Sequence, residues 1–171
     1  PVLELGCGRG QDTLSLVEAG LSVVAIDLSP GEIELARARV PGAEFHVRDL
    51  RDPFPAAAEK VGVVLASLSL HYFAWAETLG LVGRIHAACA AGGLLLCRLN
   101  STRDHNFGAS GHPPLEENLY LVEGKPKRFF DRLAVESLFA SGWRTLSIEE
   151  HVIERYSKPK VVWEVILERL P

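Results

Sequence analysis

At 171 residues, 47% of them apolar and 23% charged, the chain has the length and composition of one ordinary globular domain with a sizeable core. A formal net charge of −4 with dispersed basic residues leaves no nucleic-acid footprint, and no apolar run is long enough to span a bilayer. Cys7, Cys89 and Cys97 lack metal-ligand spacing and read as small apolar fillers; free thiols of this kind, with no secretory leader at the start, point to a cytoplasmic protein.

The chain opens on an apolar run, Val2-Leu3-Glu4-Leu5, that breaks into glycines at alternate positions, Gly6, Gly8 and Gly10. The run reads as a buried strand, and the glycines as a sharp turn that lets backbone approach a ligand. Leu14, Val17 and Leu21 then recur at helical spacing, with Gly20 past the helix end. Strand, glycine turn and helix form the first half of a nucleotide-binding βαβ unit. The dinucleotide fingerprint G-x-G-x-x-G requires a glycine where this chain has Gln11.

The pattern present, E-x-G-x-G-x-G in LELGCGRG, resembles motif I of the class I S-adenosylmethionine (SAM) dependent methyltransferases. That resemblance implies that Glu4, Gly6, Cys7, Gly8 and Gly10 form the loop holding the methionine part of SAM, whose carboxylate a helix N-terminus attracts. The competing reading is a structural glycine turn in another α/β protein. Members of the family usually carry helices ahead of the first strand that help cover the cofactor. This sequence starts on the strand, so a segment completing the site is expected to lie outside it.

Ser22 to Ile26 is a second apolar run and ends in Asp27-Leu28. A carboxylate at the end of the second strand can accept both ribose hydroxyls, and the resemblance assigns Asp27 that role; the alternative is a loop or capping aspartate. Ser29, Pro30 and Glu32 predict a capping box, followed by a helix whose apolar face is Ile33, Leu35 and Ala36. Pro41-Gly42 ends it, and Phe45 to Val47 forms a third strand. After it, Asp49 and Leu50 match the family positions that meet the adenine amino group and ring, against the plainer reading of a loop aspartate. Asp52-Pro53-Phe54-Pro55 confines any helix before the next strand to Ala56–Lys60.

Val61 to Leu70 is the most apolar run and reads as a central parallel strand buried on both faces. Ligands of open α/β sheets bind beyond the carboxyl ends of the strands, which points Ser67, His71 and Tyr72 at the methyl-transfer chamber. The stretch matches motif IV by position but lacks the (Asp/Asn/Ser)-Pro-Pro-(Tyr/Phe) form of the enzymes that methylate nucleic-acid amino groups. His71 is either a general base, needed only if the nucleophile carries a proton, or a packed structural histidine.

Trp75, Leu79, Val82, Ile85 and Cys89 share one face of a long helix that Gly92-Gly93 is expected to stop, and Ala-Ala-Gly-Gly-Leu-Leu-Leu is similar to the family's approach to strand five. That strand ends in Arg98, Leu99 and Asn100; an arginine there needs either a buried carboxylate or a substrate anion. Ser101 to Pro114 shows no periodicity, and Asn118 to Val122 and Arg128 to Phe130 flank Glu123-Gly124 as a small hairpin. The stretch 101–130 reads as a lid-like insertion, with Tyr120, Lys125, Lys127 and Arg128 as candidate contacts and a solvated loop as the alternative for the lysines. Asp131 caps a last helix with Leu133, Val135, Leu138 and Phe139 as its apolar positions. Trp143 to Ile153 and Val161 to Leu167 are strands joined too closely for a parallel crossover, so they must be antiparallel.

The expected architecture is a doubly wound, Rossmann-like α/β domain over 1–171: a seven-stranded, mostly parallel sheet with an antiparallel last strand and helices on both faces. The resemblance implies SAM as cofactor, S-adenosylhomocysteine as product and methyl transfer to a small-molecule acceptor, with His71 and Tyr72 as candidate catalytic residues. The cofactor set is Glu4, Gly6, Cys7, Gly8, Gly10, Asp27, Leu28, Asp49, Leu50 and Ser67, and Arg98, Asn100 and Tyr120 face the acceptor. Two rival readings are a non-catalytic SAM-fold binding protein and an NAD(P)-dependent oxidoreductase.

Overall fold

The computed structural model describes residues 1–171. Five segments form parallel strands: β1 (Val2–Leu5), β2 (Val23–Asp27), β3 (Glu44–Val47), β4 (Val61–Ser67) and β5 (Cys89–Asn100). Helices α1 (Gln11–Glu18), α2 (Pro30–Arg39) and α3 (Trp75–Ala88) lie between them in sequence. A small sheet of β6 (Pro114–Glu116), β7 (Leu119–Val122) and β8 (Lys125–Arg128) follows, then α4 (Arg132–Leu138), β9 (Trp143–Ile153) and β10 (Lys160–Arg169). The main sheet runs β3-β2-β1-β4-β5-β10-β9, with β10 antiparallel to both neighbours. Strand order reverses between β1 and β4, which puts the switch point at the carboxyl ends of those two strands. No helix is long and apolar enough to cross a membrane.

Two apolar cores hold the sheet. The larger packs α3 and α4 on it through residues such as Leu81, Ile85, Leu95, Leu99, Val135 and Phe130. The smaller joins α2 to β1–β3 through Val2, Ala25, Ile33, Ala36 and Phe45. Ser29 caps α2 by accepting from the Glu32 amide at 3.3 Å, but the reciprocal half of a capping box is not made, because the Glu32 carboxylate turns to Arg9 at 3.2 Å. Asp131 caps α4 through the Ala134 amide at 2.8 Å.

Several expected apolar positions are exposed. Leu21 lies past the end of α1, and Leu35, Leu79 and Leu133 point to solvent, while Thr78 and Leu81 take inward places on α3. The α3 helix ends at Ala88, before Gly92-Gly93, because Cys89 already pairs with Val61 and an irregularity in β5 absorbs the glycines. A Cβ at Gly93 would lie 2.8 Å from Cys89 Sγ and 3.0 Å from the Gly62 carbonyl. The β4 strand is less covered than a central strand of its composition suggests: Val64 and Ala66 are buried, but Val63 and Leu65 are half-buried on the other face. In the insertion, the second hairpin strand is Lys125–Arg128 rather than Arg128–Phe130, and a third strand, β6, lies in what read as an end of structureless loop.

Candidate functional site

The glycine loop is fastened to the end of β2. The Gly6 and Cys7 amides both donate to the Ile26 carbonyl, at 2.8 and 3.1 Å. The Gly8 amide donates to Asp27 Oδ2 and the Ser29 amide to Oδ1, each at 2.9 Å. Each carboxylate oxygen keeps a free lone pair, so Asp27 is rigidly held and still able to accept two hydrogen bonds from a ligand. Gly6 has φ +74°, and a Cβ there would fall 2.6 Å from Ser69 Cβ, so the loop touches the segment that leaves β4. Gly10 lets α1 approach α2, since its Cβ would lie 3.1 Å from Ala36 Cβ.

Glu4 sits behind the loop, buried, where Thr13 Oγ1 donates to its Oε2 at 2.5 Å. Burial pushes its carboxyl up to about 7, against the opposing effect of the Thr13 hydrogen bond. The Cys7 thiol is pushed up to about 12, first by burial and then by Glu4 and Asp27, so it stays protonated and inert.

A cavity of about 600 Å³ opens at the switch point. Gly6, Asp27, Leu28 and Ser29 form one side, Asp49 and Leu50 come from beyond β3, and Ser69, Tyr72 and Phe73 from beyond β4. Asp49 accepts from the Arg51 amide at 2.8 Å, and the Arg51 guanidinium bridges to Glu77 at 2.9 Å over the Phe73 ring. Ser69 Oγ is buried without a hydrogen-bond partner. This donor set fits SAM: Asp27 offers free acceptor sites for a ribose, Asp49 an acceptor for an adenine amino group, Leu28, Leu50 and Phe73 apolar surface, and the orphaned Ser69 hydroxyl a partner beside the glycine loop.

A second cavity, of about 480 Å³, shares Tyr72, Lys125 and Pro126 with the first. His71, Asn100, Lys127 and Lys160 line it, with Phe107 and Tyr156 as aromatic walls. The His71 and Tyr72 rings lie 4.2 Å apart. His71 is buried with Nδ1 unpaired, and its pKa is pulled down to about 3 by burial, then by Lys127 and Lys160, so the imidazole is neutral. Burial raises the Tyr72 phenol, with Asp27 adding to the shift. Leu68, next to this cavity, is held at φ +58°, a strained conformation for a leucine of the kind found at ligand sites.

Of the residues singled out in the sequence, Gly6, Asp27, Leu28, Asp49, Leu50 and Tyr72 come together around the first cavity, and His71, Tyr72 and Asn100 around the second. Cys7, Gly8 and Gly10 shape the loop without lining either cavity. Ser67 and Arg98 line a separate groove of about 350 Å³ across β4, β5 and β10. There Arg98 donates through Nε and Nη2 to Glu164 Oε2 at 3.1 and 3.0 Å, so its partner is a carboxylate of the chain itself. Tyr120 packs on Phe129, with ring centroids 6.0 Å apart, outside both cavities.

Sequence reasoning missed Ser69, Phe73 and Lys160 and undervalued Lys127. A signal existed for Lys160: it starts the antiparallel strand beside β5, and the start of such a strand lies at the carboxyl ends of the parallel ones.

Comparison with known proteins places these features in context. The family model described as a methyltransferase domain matches residues 2–93. An uncharacterized methyltransferase of Synechocystis sp. is 32% identical over 93 residues, covering 54% of this chain and 43% of that protein. The trans-aconitate 2-methyltransferase of Paracidovorax citrulli is 35% identical over 104 residues, covering 60% of this chain and 39% of that enzyme. The chain thus spans about two fifths of the length of these curated relatives. A solved structure of a SAM-dependent methyltransferase from Methanosarcina mazei superposes with a TM-score of 0.85 over 99% of this chain and 92% of that one, at 18% identity, a likeness of fold.

Proposed function

The chain belongs to the methyltransferase-domain family of class I SAM-dependent methyltransferases, and from that premise we propose that it transfers a methyl group from SAM to a small-molecule acceptor. The observation that carries this reading is the pair of cavities meeting at Tyr72, one with the acceptor and donor groups that fit SAM and the other bounded by the insertion. The trans-aconitate relative supports a small acceptor.

SAM supplies an electrophilic methyl group on a sulfonium; the chain's residues bind, orient and shelter. Asp27 takes the ribose hydroxyls, Asp49 and Leu50 the adenine, and the Gly6–Gly10 loop with Ser69 the methionine end. Tyr72 and neutral His71 sit at the junction and orient the acceptor. With its pKa near 3, His71 is a hydrogen-bonding group rather than an effective base at neutral pH. The insertion at 101–130 acts as a lid on one domain, excluding water from the acceptor cavity. Three free cysteines, with burial raising each thiol's pKa, suit the cytoplasm.

Isothermal titration with S-adenosylhomocysteine tests the cofactor site. The wild type is expected to bind it, and Asp27→Ala to lose on the order of 1.5–3 kcal/mol, the scale of hydrogen bonds to a charged group. Unchanged affinity in that variant moves the ribose elsewhere. Tight NADH binding with no response to SAM or its product sinks the assignment, and binding without tritiated-methyl transfer to any metabolite in an extract leaves a non-catalytic SAM binder.

A further inference from the structure

The second cavity carries a charge pattern that identifies its ligand more narrowly than "small molecule". Lys125, Lys127 and Lys160 all line it. Lys160 is neutralised by Asp104, which is fully buried and accepts from Lys160 Nζ at 2.7 Å and from the Val161 amide at 3.0 Å. Glu123 lies on the rim, where its charge favours that of Lys127 without forming an ion pair, so three lysines against two carboxylates leave one positive charge in surplus. Lys127 is the one of the three that is part-buried and lacks an ion pair. Its half-buried Nζ donates to the Phe107 carbonyl at 2.7 Å and pairs with no carboxylate. Burial first and then the neighbouring Lys160 work against its charge, and the smaller opposing effects of Asp104 and Glu123 leave its pKa lowered. A desolvated ammonium held beside another ammonium is an unfavourable arrangement that one anionic group would relieve.

Two further groups line the same space. Asn100 is fully buried; its Nδ2 donates to the Arg128 carbonyl at 3.2 Å, and its Oδ1 has no partner. His71 Nδ1 is likewise buried and unpaired. Buried polar atoms without partners are costly and rare in a folded chain, and here two of them line one cavity. Asn100 Oδ1 can only accept, so its missing partner is a hydroxyl or N–H. Phe107 and Tyr156 meet edge to face at 6.0 Å and give the cavity an apolar wall. A surplus of one positive charge matches a carboxylate better than a phosphate dianion.

We infer that the acceptor is a small carboxylic acid bearing a hydroxyl or amino group, its carboxylate held by Lys127 and its donor group by Asn100 Oδ1. This rests on the reading of the first cavity as the SAM site. Of the residues it uses, Asn100, Lys127 and Lys160 all lie outside the stretch matched by the family model.

The test separates the two readings. The full chain is first saturated with S-adenosylhomocysteine, whose binding is measured by itself; failure there removes the parent reading. The loaded protein is then titrated at about 0.15 M salt with 4-hydroxybenzoate, salicylate, lactate and anthranilate, with the primary amide of each, and with inorganic phosphate. At least one acid is expected to bind about tenfold or more tighter than its amide. Lys127→Gln should remove that preference, and Lys127→Arg should keep most of it, with equal melting temperatures for the two variants. The proposal is overturned if no acid binds, if amides bind as well as acids, if phosphate outcompetes every acid, or if Lys127→Gln leaves the preference intact.

Discussion

A methyl group added at Gly6 meets two obstacles, and the same group at Gly8 meets one. Both residues have positive φ, +74° and +52°, where a Cβ costs about 1–2 kcal/mol. At Gly6 the new atom would also lie 2.6 Å from Ser69 Cβ, whereas at Gly8 nothing comes nearer than the Glu32 carboxylate at 3.9 Å. Forced overpacking adds about 1–3 kcal/mol. Gly6→Ala is therefore expected to destabilise the chain by on the order of 2–4 kcal/mol and to weaken S-adenosylhomocysteine binding, because Gly6 and Ser69 both line the first cavity. Gly8→Ala should cost about 1–2 kcal/mol and leave the Gly8 amide free to hold Asp27. Urea unfolding and titration calorimetry of both variants check the ranking; equal losses would mean that contact with Ser69 is not what makes Gly6 necessary.

One buried arginine ties the small sheet of the insertion to the segment that leaves β4. The β7–β8 hairpin turns through Glu123 and Gly124, both at positive φ, as its tight connection requires. Arg128, at the end of β8, is buried and donates to the Phe73 carbonyl at 3.1 Å, the Glu117 carbonyl at 3.2 Å and Glu116 Oε2 at 2.6 Å, while its amide donates to the His71 carbonyl at 2.7 Å. Its guanidinium also sits 5.5 Å from the Trp75 ring. Arg128→Gln strands several of these acceptors and should cost on the order of 3 kcal/mol, whereas Glu116→Gln, on the exposed side of the pair, should cost under about 1 kcal/mol. Hydrogen exchange locates the damage: amides of β6–β8 should exchange faster in Arg128→Gln while those of β4 and β5 hold, and uniform acceleration would contradict a separate anchoring of the small sheet. This anchoring also shows why the insertion was hard to read. Strands β1, β2, β4 and β5 announce themselves because each carries an apolar run near turn residues, and the glycine loop and Asp27 keep a fixed place relative to them. The β6 strand is wholly exposed and carries no alternation; it pairs locally with β7, but Glu116 is fixed by residues distant in sequence, the Trp75 amide and the Arg128 guanidinium. The same holds for the second cavity. Lys127 and Lys160 are 33 positions apart and meet only because β10 inserts next to β5, so Lys160 did not stand out and Lys127, though a candidate contact, could not be told from a solvated lysine. Arg98 was singled out for its strand position, and the structure gives it Glu164 across the β5–β10 pairing.

Two buried groups set opposite slopes on the stability of the whole chain. Glu4 is raised from 4.5 to about 7, so the folded state holds a proton that the unfolded state releases, and stability falls as pH rises across that window. His71 is lowered from 6.5 to about 3, so the unfolded state takes up a proton that the folded state refuses, and stability falls as pH drops across that second window. The windows overlap between about pH 4.5 and 6.5, where the slopes oppose each other and flatten the profile. Single variants should unmask them. Glu4→Gln resembles the protonated acid, can still accept from Thr13 Oγ1, and removes the alkaline penalty. It should be more stable than wild type at about pH 8 by on the order of 2–3 kcal/mol, with the difference vanishing near pH 4. His71→Gln should lose the acid-side decline and, like any change in a buried pocket, shift the whole curve by a pH-independent amount. Urea unfolding from about pH 3 to 9 checks both. A Glu4→Gln difference that stays constant with pH would mean the carboxylate is charged throughout and stabilised by something other than Thr13. A wild-type acid limb that survives in His71→Gln would assign the acid sensitivity to the exposed carboxylate pairs instead.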